Sequence, residues 1–452
     1  MISTTLKRRM AVGLAAVSLG SGLALGSSPT PASADPKQLS ALVGAGSDTT
    51  QEVINAMAGF AYQTGFTPIN SGATGNYQHI ASWDATPTQD ASDNCITPVI
   101  NGPTFTRPNG SGAGRKSLYA SATSAAAGWT GSTFTLDSGT VLGTCATAVN
   151  IGGTINFARS SSLKTTSGND VVFVPFARDA LSFASYRPGG GSALITLTRK
   201  NLIDIYAGAT RVTVADPDGT GTVTIVPCGI QTSSGTYSTW NTKVGTDSTK
   251  ENTATTECNS AGNASRVQES KGEQLKAKGD ALYASGTYAA NTQLVVIEGY
   301  SASAYIAQAN GVSAPWGYGD ITLGGISDNT VGGTGTGAND IGRPFTGSAG
   351  SMVPNSTFYS DSWFGRDVYN VIRRSNLVNT GTGNALTNSY VSIFADTNTN
   401  ANTSGSNVDN SSANNSSKLC QQGARIEMFG FAQISNCGDY TSNLTTWDTG
   451  AS

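Results

Sequence analysis

Histidine is nearly absent from this chain, and charge is thin. One His, His79, stands in 452 residues, and Asp, Glu, Lys and Arg together make up 12% of them. A single imidazole excludes multi-histidine metal sites and leaves at most one candidate for a Ser–His–Asp triad. No G-x-S-x-G elbow, P-loop or H-E-x-x-H motif accompanies it. His79 lies in a polar stretch and reads as a surface residue. No acidic pair stands out in the loops as the two carboxylates of a glycosidase would. There is no C-x-x-C spacing, which argues against zinc or dithiol chemistry, and no internal repeat of fixed period.

Basic charge is also short. Lys7, Arg8 and Arg9 precede an apolar run from Met10 to Leu25, and Pro31-Ala32-Ser33-Ala34 ends in a small-x-small signal before Asp35. This is the pattern of a cleaved export leader over residues 1–34. The run is too short and too rich in Gly and Ser to span a bilayer, and no Cys at the cleavage site indicates a lipoprotein. Removing the three leader cations takes 26 basic residues to 23 against 29 acidic ones, a net charge of −6. Nucleic acid is a poor partner for such a surface. A secreted, monomeric protein is expected.

All six cysteines (Cys95, Cys145, Cys228, Cys258, Cys420 and Cys437) lie beyond the leader. An even number in an exported chain points to disulfides. Each sequence-neighbouring pair flanks a polar, loop-like stretch, so Cys95–Cys145, Cys228–Cys258 and Cys420–Cys437 is the expected pairing.

Gly, Ser, Thr and Asn take the place of charge. Four loops concentrate them: Gly44 to Thr50, Pro108 to Gly114, Phe157 to Ser162 and Gln231 to Thr236. Three lead into segments that read as helices. Helix starts expose unpaired N–H groups and carry partial positive charge, so hydroxyl-rich loops there can seat an oxyanion. Candidate ligand contacts are Ser47, Asp48, Thr49 and Thr50 in the first loop, and Ser111 and Gly112, followed by Arg115 and Lys116, in the second. The third offers Arg159, Ser160 and Ser161, and the fourth Gln231, Ser234, Gly235 and Thr236. A guanidinium matches oxyanion geometry, which singles out Arg159. Asp48 either accepts from a protonated ligand oxygen or caps the helix.

Apolar runs at 41–44, 153–158, 171–176, 222–226, 294–297 and 364–374 read as strands. Helical spacing follows Thr49-Thr50-Gln51-Glu52, which matches a capping box. Leu197 to Gly208 reads as a helix capped by Thr198 and stopped by Gly208. Asn398 to Ser417 is low-complexity and reads as an exposed loop. The alternation of strands and helices indicates an α/β architecture.

At these motifs the chain resembles the phosphate-binding proteins of ABC uptake systems. Gly44 to Gln51 is similar to their first ligand loop, Phe157 to Ser161 to the third, and Ser233-Ser234-Gly235-Thr236 to the fourth. Val174 to Leu181 and Gly299 to Gln308 are similar to the two crossings between lobes. The segments Gly46 to Gln51, Arg107 to Ser111, Phe157 to Ser161 and Cys420 to Cys437 are closest to secreted actinobacterial members. The resemblance implies a two-lobe type II periplasmic-binding fold with polar insertions. Lobe I would start at 35–177, lobe II would be 178–299, and 300–452 would return to lobe I and end in a disulfide-closed segment.

The resemblance also shows departures. Ser161 stands where the family places an Asp, and Ile230, followed by Gln231, where it places an Arg. Arg159, Arg115 and Asp48 are the residues left to supply charge. The expected function is capture of a small oxyanion, phosphate first, by a non-enzymatic, cofactor-free protein serving an ABC transporter. The alternative is a secreted interaction or structural protein on the same fold, and a weaker one is an extracellular hydrolase.

Overall fold

The computed structural model describes residues 35, 41–59, 65–69, 79–86, 94–124, 129–135, 145, 149–164, 166–208, 212–219, 221–245, 247–262, 266–286, 288, 293–330, 332, 339–397 and 415–447. The expected leader, residues 1–34, and most of the Asn/Ser/Thr tract lie outside them.

The chain opens as strand, loop and helix: β1 (Ala41–Gly46) and α1 (Gln51–Ala58). Then come β2 (His79–Ser82), α2 (Gly110–Ala120), β3 (Phe157–Ser160) and a 20-residue strand, β4 (Ser167–Tyr186). α3 (Arg199–Ala207), β5 (Thr222–Pro227), α4 (Gly235–Val244), α5 (Ser248–Ser260) and α6 (Gly272–Ala284) follow. β6 (Gln293–Ser301), α7 (Ala302–Ala309) and β7 (Gly365–Arg373) complete the frame.

These strands form one mixed sheet in the order β2-β1-β3-β7-β4-β6-β5. β4 belongs to both halves. Its first part, Val171 to Ala180, pairs antiparallel with β7, and its second, Leu181 to Tyr186, with β6. Around the first half, alternate residues enter opposite faces, as a period of two requires. Val172, Val174, Val368 and Ile372 pack with α1, and Val171, Phe173, Tyr369 and Val371 pack on the other side. The second half carries its own core of Leu181, Phe183, Val226, Trp240, Val295 and Tyr300. The molecule is thus a two-lobed α/β protein. The segment expected to return directly to lobe I first adds Ile321, Leu323, Phe358 and Phe364 to the second core, and β7 then pairs with β3 in the first half of the sheet.

α3 is held by the expected signals. Thr198 and Asn201 form a reciprocal capping box, and Gly208 ends the helix in the left-handed region. The box expected at α1 does not form. Thr50 caps α1 without a side-chain hydrogen bond, and Glu52 accepts from Gln51. The neighbouring Thr49 hydroxyl is committed elsewhere, as described below. The disulfides are Cys95–Cys145, Cys228–Cys258 and Cys420–Cys437. They fit an oxidising compartment. Among the described residues no helix is long and apolar enough to cross a membrane.

Candidate functional site

The four hydroxyl-rich loops meet between the lobes. Ser47 N–H donates to the Arg159 carbonyl at 3.1 Å, Ser161 N–H to Ser111 Oγ at 3.0 Å, and Gly112 N–H to the Ser233 carbonyl at 3.1 Å. The last bond joins lobe I to lobe II. Asn109 and Gln268 add a reciprocal amide pair across the same gap, both bonds 3.0 Å. A Cβ at Gly235 would clash with Ser111 Oγ and lie 2.5 Å from Ser161 Oγ, so any side chain there would push the two hydroxyls aside. The starts of α1, α2 and α4 therefore surround one small region.

That region is filled by a side chain that sequence patterns did not single out, Glu269. Its Oε1 accepts from the Thr49 hydroxyl of lobe I and, at 2.5 Å, from the Thr236 hydroxyl of lobe II. Its Oε2 accepts from Ser234 Oγ at 2.5 Å. Ser234 is also the N-cap of α4, accepting from Thr236 N–H and Tyr237 N–H. The carboxylate thus lies where a helix start favours negative charge. Gln231 holds the backbone behind it, its Oε1 accepting from Glu269 N–H at 2.5 Å. Glu269 is 1% exposed.

Behind the threonines stands Arg366, from β7. Its Nη2 lies 3.1 Å from Thr49 Oγ1, 2.8 Å from Thr236 Oγ1 and 2.8 Å from Asp179 Oδ2. Each threonine oxygen can accept from the guanidinium while its proton goes to Glu269, an arrangement in which successive hydrogen bonds polarise one another. Asp179, on β4, is fixed in turn by Ser301 Oγ and Ser303 N–H. Arg366 and Asp179 form a buried ion pair, 5% and 0% exposed at their side chains.

Glu269 reaches this seat from a tight turn. Lys271 N–H donates to the Gln268 carbonyl at 3.2 Å, and Ser270 adopts φ 60°. A non-glycine residue there is strained, at a cost of about 1–3 kcal/mol. The Ser270 carbonyl is pinned by Tyr300 Oη and Gln308 Nε2. Beyond the turn a small pocket of about 30 Å³, open to solvent, is lined by Asp48, Gln51, Glu52, Lys271, Trp316 and Phe429, among others. Lys271 Nζ sits over the Trp316 ring. Burial pushes Lys271 down to about 8, opposed by the charge of Glu273. Burial, and then the charge of Glu269, push Asp48 up to about 8. Asp48 Oδ1 accepts from Gln268 Nε2 at 3.3 Å.

Of the residues singled out in sequence, Thr49, Ser234 and Thr236 converge on one carboxylate. Ser111, Ser161 and Gly235 pack beside them, Gly112 bridges the lobes, and Gln231 positions Glu269. Asp48 borders the pocket. Ser47 and Thr50 are buried, with hydroxyls that have no partner among the described residues.

Arg159 is a correction. It is fully buried, and its guanidinium donates to the carbonyls of Ser47, Gly46 and Trp83 and to Ser82 Oγ. It clamps β1 to the end of β2 rather than facing a ligand. Ser160 is a second correction. Its hydroxyl donates to the Ser162 carbonyl and accepts from Arg115, so both side chains turn away from the seat. The cation behind the seat is Arg366, which sequence reasoning missed. A signal existed: Arg366 and Asp179 are charges embedded in apolar central strands, where only a paired or functional charge is tolerated. Glu269 carries no such signal, since a surface acid before a helix looks the same.

No protein-family model and no curated protein sequence matches the chain. Among solved structures, it is similar to a Clostridium perfringens protein described as a putative phosphate ABC transporter substrate-binding protein, with bound phosphate. That match has 12% identity and a TM-score of 0.37 over 75% of this chain and 89% of that one. An ABC-type phosphate transport receptor from Vibrio cholerae matches at 13% identity and a TM-score of 0.33, over 75% of this chain and 90% of that one. A possible phosphate binding protein from Planctomyces limnophilus matches at 13% identity and 0.28, over 75% and 83%.

Proposed function

We propose that this chain is an exported, non-enzymatic binding protein that closes two lobes over a small oxyanion, phosphate being the first candidate. One observation carries the reading: hydroxyls from both lobes, backed by a buried guanidinium, converge on a pair of carboxylate oxygens. Donors of this kind recognise negative oxygen whatever molecule bears it. Closure then follows from differential contact, because Thr49 and Thr236 can share one acceptor only when the lobes are together. Delivery to an ABC transporter is the role this binding would serve.

Calorimetric titration of the oxidised protein with phosphate, with sulfate for comparison, tests the reading. Saturable phosphate binding is expected, and with Glu269 replaced by alanine it should be weakened about tenfold by Ser234→Ala through loss of one charge-assisted hydrogen bond. Absence of saturable binding both in this protein and in the Glu269→Ala variant introduced below overturns it.

A second reading has its own observation. Arg159 is spent on backbone carbonyls, and an internal carboxylate already occupies the seat. A secreted interaction protein, held permanently closed, would have this appearance, and it is the reading left if no oxyanion binds.

A further inference from the structure

We propose that Glu269 is a tethered ligand. Its carboxylate occupies the oxyanion seat from within and holds the lobes closed with no small molecule bound. An external oxyanion enters only as this side chain leaves. The inference rests on the oxyanion reading and gives it a competitor.

Three features support it. First, the contacts of Glu269 are those of a bound anion rather than of a core ion pair. It accepts three hydroxyl protons from two lobes, while the ion-pair partner of Arg366 is Asp179. Second, the turn that delivers it is strained at Ser270 and pinned through the Ser270 carbonyl, so the side chain is aimed by backbone that a relaxed loop would not adopt. Third, the seat adjoins a small solvent-open pocket lined by Thr49 and Glu269 themselves together with Lys271 and Asp48, so the seat borders water on the side of the turn that delivers Glu269. Glu269 and an external anion cannot share the seat. The hydroxyl protons of Thr49, Ser234 and Thr236 are already given to the carboxylate, and a second negative charge at contact distance is repelled. The ligand class that fits is a small oxyanion presenting at least two oxygens, of which a short carboxylate is the nearest copy of the resident group.

The experiment compares the full oxidised protein with Glu269→Ala and Glu269→Gln, using inorganic phosphate and acetate as probes. Binding is read by calorimetry and stability by thermal melting. The alanine variant, with the seat emptied, is expected to melt lower than the unaltered protein and to regain that loss as acetate is added. It should bind phosphate at least tenfold more tightly than the unaltered protein. The glutamine variant keeps the seat filled but holds it less tightly, so its melting temperature should respond to acetate less than that of the alanine variant. If the alanine variant fails to fold, tighter phosphate binding by the glutamine variant, whose amide is a poorer acceptor for the three hydroxyls, is the supporting result. Equal phosphate affinity in all three proteins overturns the tethered-ligand role and leaves the oxyanion site standing. No binding of either anion to any of them overturns both.

Discussion

Thr49 and Thr236 are 187 residues apart in sequence and lie on different lobes, yet their hydroxyl oxygens are 3.3 Å apart and meet at one oxygen of Glu269. Two β-branched alcohols from opposite walls thus act as one clamp, and Arg366 spans both from behind.

Thr236→Val removes a hydroxyl and keeps the shape. It takes one of two donors from Glu269 Oε1 and one of three acceptors from Arg366 Nη2. Stability should fall by about 1–3 kcal/mol, and phosphate affinity, compared in the Glu269→Ala background, by about tenfold. Urea unfolding and calorimetry measure the two effects. A neutral substitution would mean that the clamp is not formed in solution.

Arg159→Ala should act on stability and not directly on ligand contact. Three backbone carbonyls and the Ser82 hydroxyl lose their donor inside a fully buried site, for an expected loss of about 3 kcal/mol. Phosphate affinity, measured well below the melting temperature, should change by less than threefold. A large affinity loss in a well-folded variant would restore Arg159 as a ligand residue.

Gly235→Ala should separate loops that glycine lets touch. The added methyl group meets Ser111 and Ser161, the contact that brings α2 and α4 together. Weaker oxyanion binding with little loss of helix content by circular dichroism is expected. Unchanged affinity would show that these loops have slack.

Glu298 lies on β6, fully buried, with neither carboxylate oxygen partnered among the described residues. Burial, and then the charges of Glu273 and Glu269, raise its titration well above the ordinary 4.5. The folded state holds this proton more tightly than the unfolded chain does. The stability linked to it is therefore complete below about pH 4.5 and is lost as pH rises toward the folded value. Glu298→Gln should raise the melting temperature at neutral pH and flatten its decline between pH 5 and 7. A variant with the same slope as the parent would remove Glu298 from that dependence.

Much of the frame was legible because it is local. The Thr198 cap, the Gly208 stop and the apolar runs of β4, β5 and β6 depend on neighbours within a few residues. The serine and threonine loops were legible for the same reason, since a helix start is written in adjacent residues. What stayed hidden is the pairing across the cleft. Nothing near Gln268-Glu269-Ser270 indicates that the turn will meet Thr49 and Ser234, because that depends on how two lobes close. The capping box at Thr49 misled in the same way. Its pattern was right locally, but a carboxylate from the far lobe offered the threonine proton a better acceptor. Arg159 misled because a guanidinium satisfies backbone carbonyls as readily as it does an anion.

β4 runs unbroken through both lobes, with a register shift between Pro175 and Ala177 just before the junction. An axle of this kind permits torsion but resists sliding. If the lobes open as the proposed function requires, the sheet would twist about that strand, with little motion at the axis and more at the rim, where Gly112 meets Ser233. Amide exchange should record the leverage. The Leu181 N–H near the axle, bonded to the Phe364 carbonyl, would outlast every opening, and the Gly112 and Glu269 N–H groups would report each one.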